Sequence, residues 1–128
     1  MVHLQIDPHS GVPAYRQMMD QVKYAVAAGL LVGGDQLPSI REMARHLAVN
    51  PTTVVKAYGE LAADGVIVLE HGRGAFVAEG ARGMSAAERR AALERLARQI
   101  AVEAHQMGAG DDEVIEAVRR QLEELKHD

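Results

Sequence analysis

The sequence predicts a mainly α-helical fold with one small β-hairpin, and three stretches carry this prediction. Residues 37–61, LPSIREMARHLAVNPTTVVKAYGEL, contain two helix-start signals eleven residues apart. Residues 66–78, VIVLEHGRGAFVA, place two runs of strand-forming residues around a glycine-rich turn. Residues 85–126 carry apolar residues three and four apart, as helices do. The apolar fraction of 48% in 128 residues is enough to bury an ordinary core.

The first helix is predicted to begin at Pro13, because proline is favoured in the first turn of a helix. Apolar residues follow with helical spacing for about sixteen to eighteen residues, until Gly33 and Gly34 stop the helix. The stripe predicts one face packed on a core. Its members are Tyr15, Met18, Met19, Val22, Val26 and Leu30.

The second helix is predicted to begin at Ser39. Ser39 and Glu42 have the spacing of a capping box, in which each side chain bonds the backbone amide of the other residue. The helix must end before Pro51, which has no amide proton and would clash with the preceding turn. Asn50 is a favoured N-cap and Pro51 a favoured first residue, so a third helix is predicted to start at once. The predicted inner stripes are Ile40, Met43, Ala44 and Leu47, then Val54, Ala57, Tyr58 and Leu61.

Two helices joined by so short a turn are typical of a helix-turn-helix. The second of them would present Thr52, Thr53, Val55 and Lys56 near its N-terminus. An α-helix fits the major groove of DNA, and free amides at a helix N-terminus favour an anion. The alternative interpretation is an αα-hairpin that only contributes to the core.

A β-hairpin is predicted directly after these helices, with strands at residues 66–69 and 75–78. Gly72 and Gly74 let the turn approach another surface closely, and Arg73 between them can enter a minor groove or pair with phosphate. The alternative is an ordinary hairpin turn with a solvated arginine. A helix, a helix-turn-helix and a hairpin in this order form a winged helix, and the combination is more specific than any of its parts.

Net charge alone argues against a nucleic-acid partner. The formal charge is −4, and residues 1–80 and residues 81–128 each carry a net charge of −2. Phosphate contacts act over roughly 8–10 Å, so the local placement of cations matters more than their total. The stretch between Pro38 and Tyr58 is locally basic. Its three cations are Arg41, Arg45 and Lys56, and its single anion is Glu42.

The stretch GGDQLPSIREMARHLAVNPTTVVKAYGELAADGVIVLEHGRGAFV resembles the DNA-binding domain of GntR-type bacterial transcriptional regulators. The pattern of that family is roughly G-D-x-L-P-S-x-R-x-L-A, a turn, T-V-x-x-A-Y-x-x-L-x-x-x-G and G-x-G-T-F-V. The resemblance covers about residues 10–78, since the first predicted helix, VPAYRQMMDQV, is also similar. The matching residues are Gly34, Asp35, Leu37, Pro38, Ser39, Arg41, Ala44, Thr53, Val54, Ala57, Tyr58, Leu61, Gly65, Gly72, Gly74, Phe76 and Val77.

The resemblance implies a winged helix-turn-helix DNA-binding domain in residues 1–80, with contacts from Arg41, from the start of the third helix and from the hairpin tip. Many members of the family place an arginine where this chain has Val55, with Lys56 one residue on. Which cation would reach the groove is therefore left open. The predicted DNA-binding residues are Ser39, Arg41, Arg45, Asn50, Thr52, Thr53, Lys56, Tyr58, His71, Gly72, Arg73 and Gly74.

Gly59 departs from good helix design, because a glycine inside a helix costs about 1 kcal/mol relative to alanine. Exposure or close packing would each account for it, and the sequence leaves both open.

Residues 81–128 are predicted to form a two-helix dimerisation tail. Ser85 and Glu88 make a second capping box, and GAGDDE separates one helix from the next. Two such helices cannot fold alone, so we expect them to bury their apolar stripes against each other and a second copy of the chain. The alternative is an appendage packed on the chain's own winged helix. The predicted dimerisation residues are Leu93, Leu96, Ile100, Met107, Ile115, Val118 and Leu122.

A tail of this length resembles the YtrA-like branch of the family, which implies a homodimer and, often, control of a transporter operon. With a tail this short, we expect no large ligand-binding domain after the wing. Any small-molecule effector is therefore expected at the dimer interface or between tail and wing. Dimer symmetry predicts an inverted-repeat DNA operator with half-sites about one helical turn apart.

Several other classes of function are disfavoured. Zero cysteines exclude disulfides and a cysteine nucleophile, and the histidines lack the spacing of a metal site. No serine has a histidine at a motif-like offset, so neither an enzyme nor a cofactor is predicted. No run of about 18 apolar residues is present, so a soluble, cytoplasmic protein without membrane contact is expected. The rival to a repressor is a winged helix that binds protein and no DNA, as the net charge suggests.

Overall fold

The fold class predicted from the sequence is confirmed by a computed structural model, which describes residues 4–82 and 84–127. Helices and strands follow one another in the predicted order. Their bounds are α1 Ala14–Ala27, α2 Ile40–Leu47, α3 Pro51–Ala63, β1 Ile67–Glu70, β2 Gly74–Val77, α4 Ala86–Gln106 and α5 Asp111–Lys126. None of the helices in these ranges is long and apolar enough to span a bilayer.

α1 ends at Ala27, earlier than predicted. Gly29 adopts a φ of +76°, and the amides of Gly29 and Leu30 donate to carbonyls in the last turn of α1 at 3.1 and 2.9 Å. This pair of bonds is a Schellman motif, which satisfies carbonyls that the helix leaves unpaired. The prediction that Gly33 and Gly34 stop the helix is therefore wrong, and Leu30 lies beyond α1 as an exposed residue.

The hairpin is antiparallel, and the segment before α2 pairs with its second strand. Val68 lies opposite Phe76 in the register of β1 and β2. On the other edge of β2, Gly34 and Leu37 each donate an amide hydrogen bond of 2.8 Å to a β2 carbonyl, and Gln36 forms a bridge to Phe76. The chain that enters α2 is thus fixed to the hairpin. The sequence did not predict this third pairing segment.

One hydrophobic core joins α1, α2, α3 and the hairpin. The predicted inner stripe of α3 is confirmed, whereas Ile40, at the start of α2, is exposed. Lys23 of α1 also forms an ion pair of 3.0 Å with Asp64, the C-cap residue of α3. The largest fully buried side chains are Met18, Met19, Val22, Met43, Val54, Leu61 and Val77.

The chain divides into two compact units, residues 1–85 and 86–128. The boundary predicted from the sequence, after residue 80, lies five residues earlier in the chain. The second unit consists of α4 and α5, and residues of both helices, among them Ala104 and Val114, line one cavity. Ala92 and Ala104 are the buried residues of α4, and α5 has none. Much of the two apolar stripes therefore stays exposed within one protomer.

Candidate nucleic-acid interface

The turn between α2 and α3 is built on Ala48. Its backbone is left-handed, with φ 56° and ψ 45°, and no other non-glycine residue that the structure describes has a positive φ. The Val49 amide donates to the Ala44 carbonyl at 3.0 Å, which closes the end of α2. The left-handed residue turns the chain sharply, so α3 begins almost at once in a new direction.

The start of α3 is capped as predicted. The side-chain oxygen of Asn50 accepts two hydrogen bonds from Thr52, one of 2.9 Å from its amide and one of 2.8 Å from its hydroxyl. The cap therefore uses the side-chain oxygen of Asn50 and both the amide proton and the hydroxyl proton of Thr52. The amino group of Asn50 and the methyl group of Thr52 remain available to a partner.

The start of α2 is held by the predicted capping box. The Ser39 hydroxyl accepts from the Glu42 amide at 3.1 Å, and the Glu42 carboxylate accepts from the Ser39 amide at 3.0 Å. The Ser39 amide, the Ser39 hydroxyl and the nearby charge of Arg45 hold the pKa of Glu42 below its usual value. Ser39 thus has a structural role besides its predicted DNA contact.

Arg41 and Arg45 are exposed one turn apart on α2. Neither of them forms an ion pair with a residue in the ranges 4–82 and 84–127. A guanidinium donates well to phosphate oxygens, and here it would give up no ion pair of the native structure to do so. These two side chains can therefore bind an external anion.

Lys56 is turned towards α1. Its Nζ lies 4.3 Å from the centroid of the Tyr15 ring, a cation–π contact worth about 0.5–1 kcal/mol at an exposed site. The neighbouring Val55 has no such partner and is 51% exposed. The ammonium group of Lys56 therefore lies beside α1, and the neighbouring exposed side chain on α3 is the apolar Val55.

Tyr58 lies in the core, where it is 2% exposed. Its hydroxyl donates a hydrogen bond of 2.7 Å to the Pro38 carbonyl, and burial raises its pKa. A side chain buried in this way cannot offer its ring or its hydroxyl to DNA. We therefore assign Tyr58 a positioning role between α2 and α3 in place of the predicted direct contact.

The hairpin tip carries Arg73 between two glycines with positive φ, +77° at Gly72 and +120° at Gly74. The Arg73 guanidinium pairs with Glu70 at 2.7 Å and lies 5.2 Å from the centroid of the Phe76 ring. The free protein therefore folds this cation back along the hairpin. Glu70 is the neighbour that a phosphate would have to replace.

Three contacts of the candidate interface were not predicted from the sequence. Gln36 donates from its side chain to the Arg73 carbonyl at 3.1 Å and so joins the hairpin tip to the segment before α2. This contact and the one between Tyr15 and Lys56 are long-range, and the sequence carries no local signal for either. The ion pair of Glu70 and Arg73 could have been predicted from the sequence, because an acidic residue stands three positions before a basic one across a tight turn.

The remaining predicted contacts have these places. Thr53 is half-buried, and its amide donates to the Asn50 carbonyl at 2.9 Å. His71 is exposed at the hairpin tip. No cluster of histidine and acidic residues within the described ranges could hold a metal ion.

Sequence comparison relates this chain to a family of regulators. Residues 14–77 match the family model described as bacterial regulatory proteins, gntR family. The chain is also 33% identical over 123 residues to the HTH-type transcriptional repressor YtrA of Bacillus subtilis (strain 168), across 96% of this chain and 95% of that protein.

Two solved structures extend this similarity. YtrA from Sulfolobus acidocaldarius, a GntR-family transcription factor, has a TM-score of 0.54 and 34% identity over 94% of this chain and 97% of that one. The DNA-binding domain of AraR in complex with operator ORX1 also has a TM-score of 0.54, with 26% identity over 61% of this chain and 100% of that one.

Proposed function

Because the chain belongs to the GntR family of bacterial regulatory proteins, we propose that it is a transcriptional repressor that binds double-stranded operator DNA. It acts by binding rather than by catalysis, and in the cytoplasm, where bacterial DNA is. The observation that carries the proposal is the helix-turn-helix itself: two N-capped helices meet at the left-handed Ala48, with Arg41 and Arg45 exposed on the surface of α2.

In the proposed complex α3 lies in the major groove. Asn50, Thr52 and Thr53 face the base edges or the flanking phosphates, and the positive end of the α3 helix dipole favours a phosphate. Arg41 and Arg45 bind phosphates and so fix the register of α3 on the duplex. The contact of Lys56 with the Tyr15 ring favours a phosphate of the DNA backbone, rather than a base, as its partner.

The hairpin contacts the adjacent minor groove through His71, Gly72, Arg73 and Gly74. Arg73 must first leave Glu70, with which it is paired at 2.7 Å in the free protein. An exposed ion pair of this kind is worth about 0–1 kcal/mol, so the exchange costs little. Glycines on both sides of Arg73 let the hairpin backbone approach the duplex closely.

The tail supports a homodimer. Its apolar stripes are exposed in the protomer, at 38% for Val118 and up to 75% for Met107. Contiguous apolar surface of this kind marks an interaction site, and a two-fold dimer is the commonest closed way to cover it. Two winged helices related by such an axis would bind an inverted-repeat operator. The residues that we propose for this interface are Leu93, Leu96, Ile100, Met107, Ile115, Val118 and Leu122.

The target that we propose is a transporter operon, because the tail is similar to that of the YtrA-like branch. Sequencing the genomic DNA fragments that the purified protein retains would test this directly. A transporter operon next to the bound site would support the proposal, and bound sites without such neighbours would contradict it.

DNA binding itself is tested by gel-shift titration with the retained fragment. Arg41→Ala and Arg45→Ala should each weaken binding and lower the slope of log affinity against log salt by about 1.8, because the dimer loses one phosphate contact, worth about 0.9, in each half-site. Arg98→Ala, which removes the same charge from α4, is the matched control and should change neither quantity. Unchanged affinity in both α2 variants would overturn the assignment of these arginines.

The formal charge of −4 favours one rival, a winged helix that binds a protein partner and no DNA. Retention of no DNA fragment at low salt would favour this rival. Salt-dependent binding of a specific fragment would exclude it.

A further inference from the structure

The exposed face of α3 carries an apolar stripe. Val55 is 51% exposed and does not belong to the hydrophobic core. Thr52, one turn before it, and Gly59, one turn after it, are exposed as well. A Cβ atom placed on Gly59 would meet nothing within 4 Å, so the described residues leave the surface of α3 open at this position. The first turns of α3 therefore offer methyl groups to whatever binds there.

The polar groups around this stripe are largely committed elsewhere. The Thr52 hydroxyl donates its proton to Asn50 at 2.8 Å, so its methyl group and its lone pairs are what remain. The Lys56 ammonium lies over the Tyr15 ring at 4.3 Å. At the centre of the stripe, Val55 has no hydrogen-bonding group at all. A base edge facing it can be recognised only through an apolar contact.

The major groove of DNA presents one such feature, the C5-methyl group of thymine. From this chemistry we propose that Val55 is a specificity-determining residue that contacts the methyl group of a thymine in each operator half-site. The inference rests on the proposed function, since it requires α3 to lie in the major groove. It goes further by naming the base pair, A·T, and the atom that is read.

The experiment replaces thymine by uracil, which removes only the C5-methyl group and keeps the pairing with adenine. Each thymine of the retained operator is replaced in turn, and the dissociation constants are measured for the wild type, Val55→Ala and Val32→Ala. Alanine is a better helix former than valine, so Val55→Ala should fold. Val32→Ala is the matched control, because it shortens a valine of similar exposure, 55%, outside α3.

For the wild type we expect about fourfold weaker binding when the thymine facing Val55 is replaced, the loss that corresponds to one buried methyl group. Val55→Ala should lose most of this sensitivity at that position alone, and Val32→Ala should keep it. Equal binding of every uracil operator by the wild type would overturn the inference, as would an unchanged sensitivity in Val55→Ala. Either result would leave the proposed function standing, whereas a wild type that binds no DNA would overturn both.

Discussion

The hydroxyl of Tyr58 donates a hydrogen bond of 2.7 Å to the carbonyl of Pro38, and this bond ties the middle of α3 to the residue before the α2 cap. The ring itself is packed in the core, so the bond is partly shielded from water. It fixes the position at which the chain enters α2, and therefore the placement of Arg41 and Arg45 relative to α3. A buried residue thus controls the geometry of the proposed DNA-binding surface.

Replacing Tyr58 by phenylalanine should lower the free energy of unfolding by about 1–2 kcal/mol, because the Pro38 carbonyl loses its partner while the ring is kept. Urea denaturation followed by circular dichroism measures this change. Tyr15→Phe is the control, since the hydroxyl of Tyr15 has no hydrogen bond within the described residues and the contact of its ring with Lys56 is retained. Equal stabilities of the two variants would contradict the role assigned to Tyr58.

Replacing Gly59 by alanine should raise the free energy of unfolding by about 1 kcal/mol. Gly59 lies inside α3 without a positive φ, and a Cβ there would meet no atom within 4 Å. Of the two explanations that the sequence left open, exposure is therefore the one the structure supports. Gly65→Ala is the control with the opposite expected sign, because the φ of +77° at Gly65 is unfavourable for a residue with a side chain. Thermal unfolding should show that this variant is less stable than the wild type. A destabilised Gly59→Ala would show that α3 does not tolerate a side chain at this position.

Replacing Ala48 by glycine should also stabilise the fold, by about 0.5–1 kcal/mol. A left-handed conformation costs an alanine roughly 1–2 kcal/mol, part of which is offset by the greater freedom of glycine in the unfolded chain. The change is measured by chemical denaturation. Ala63→Gly, at the last residue of α3, should have the opposite sign. A loss of stability in Ala48→Gly would mean that the turn does not strain the backbone.

The sequence predicted best where the signals are local. The caps at Ser39 and Asn50 depend on residues two or three positions away, so their patterns identified the starts of α2 and α3. The end of α1 was misplaced because Gly29 and the later pair Gly33 and Gly34 are all chemically suitable stops. Only the packing around the helix selects among them.

Long-range features were not predictable in the same way. Gln36 pairs with the hairpin across more than thirty intervening residues, and Lys56 reaches a tyrosine on α1. Tyr58 shows the same difficulty, since its position on the inner stripe and its match to the family pattern suggested two different roles. Its burial supports the structural role over a direct contact with DNA.

Stability should depend on pH through Glu42. Its pKa in the folded protein lies below the ordinary value of 4.5, because the carboxylate accepts from the Ser39 amide and is further stabilised by the nearby Ser39 hydroxyl and the charge of Arg45. The charged form therefore contributes stability above the unfolded pKa, and this contribution is lost as the pH falls through the lowered, folded pKa. Glu42→Gln keeps a neutral capping residue and should be less stable than the wild type at pH 7.

The difference in unfolding free energy between the wild type and Glu42→Gln should shrink as the pH is lowered below about 4. Denaturation curves at several pH values measure it. A difference that stays constant over that range would show that the charge of Glu42 does not support the cap.

Leu96 of α4 and Leu122 of α5 are 51% and 54% exposed in the protomer, although both lie on stripes of apolar residues. If these stripes form the proposed dimer interface, Leu96→Asp and Leu122→Asp should shift the protein from dimer to monomer, because each places a charge in an apolar contact. Sedimentation equilibrium measures the shift, and circular dichroism checks that the helices remain. Arg98→Ala, on α4 between the apolar positions, is the control and should leave the dimer intact.

Loss of the dimer should in turn weaken operator binding by a factor of about 10²–10⁴, since the second half-site is then no longer bound at a raised effective concentration. The two variants should retain their affinity for a single half-site, because the winged helix itself is unchanged. A wild type that sediments as a monomer while it binds the full operator tightly would refute the interface. The apolar stripes of the tail would then need a different partner.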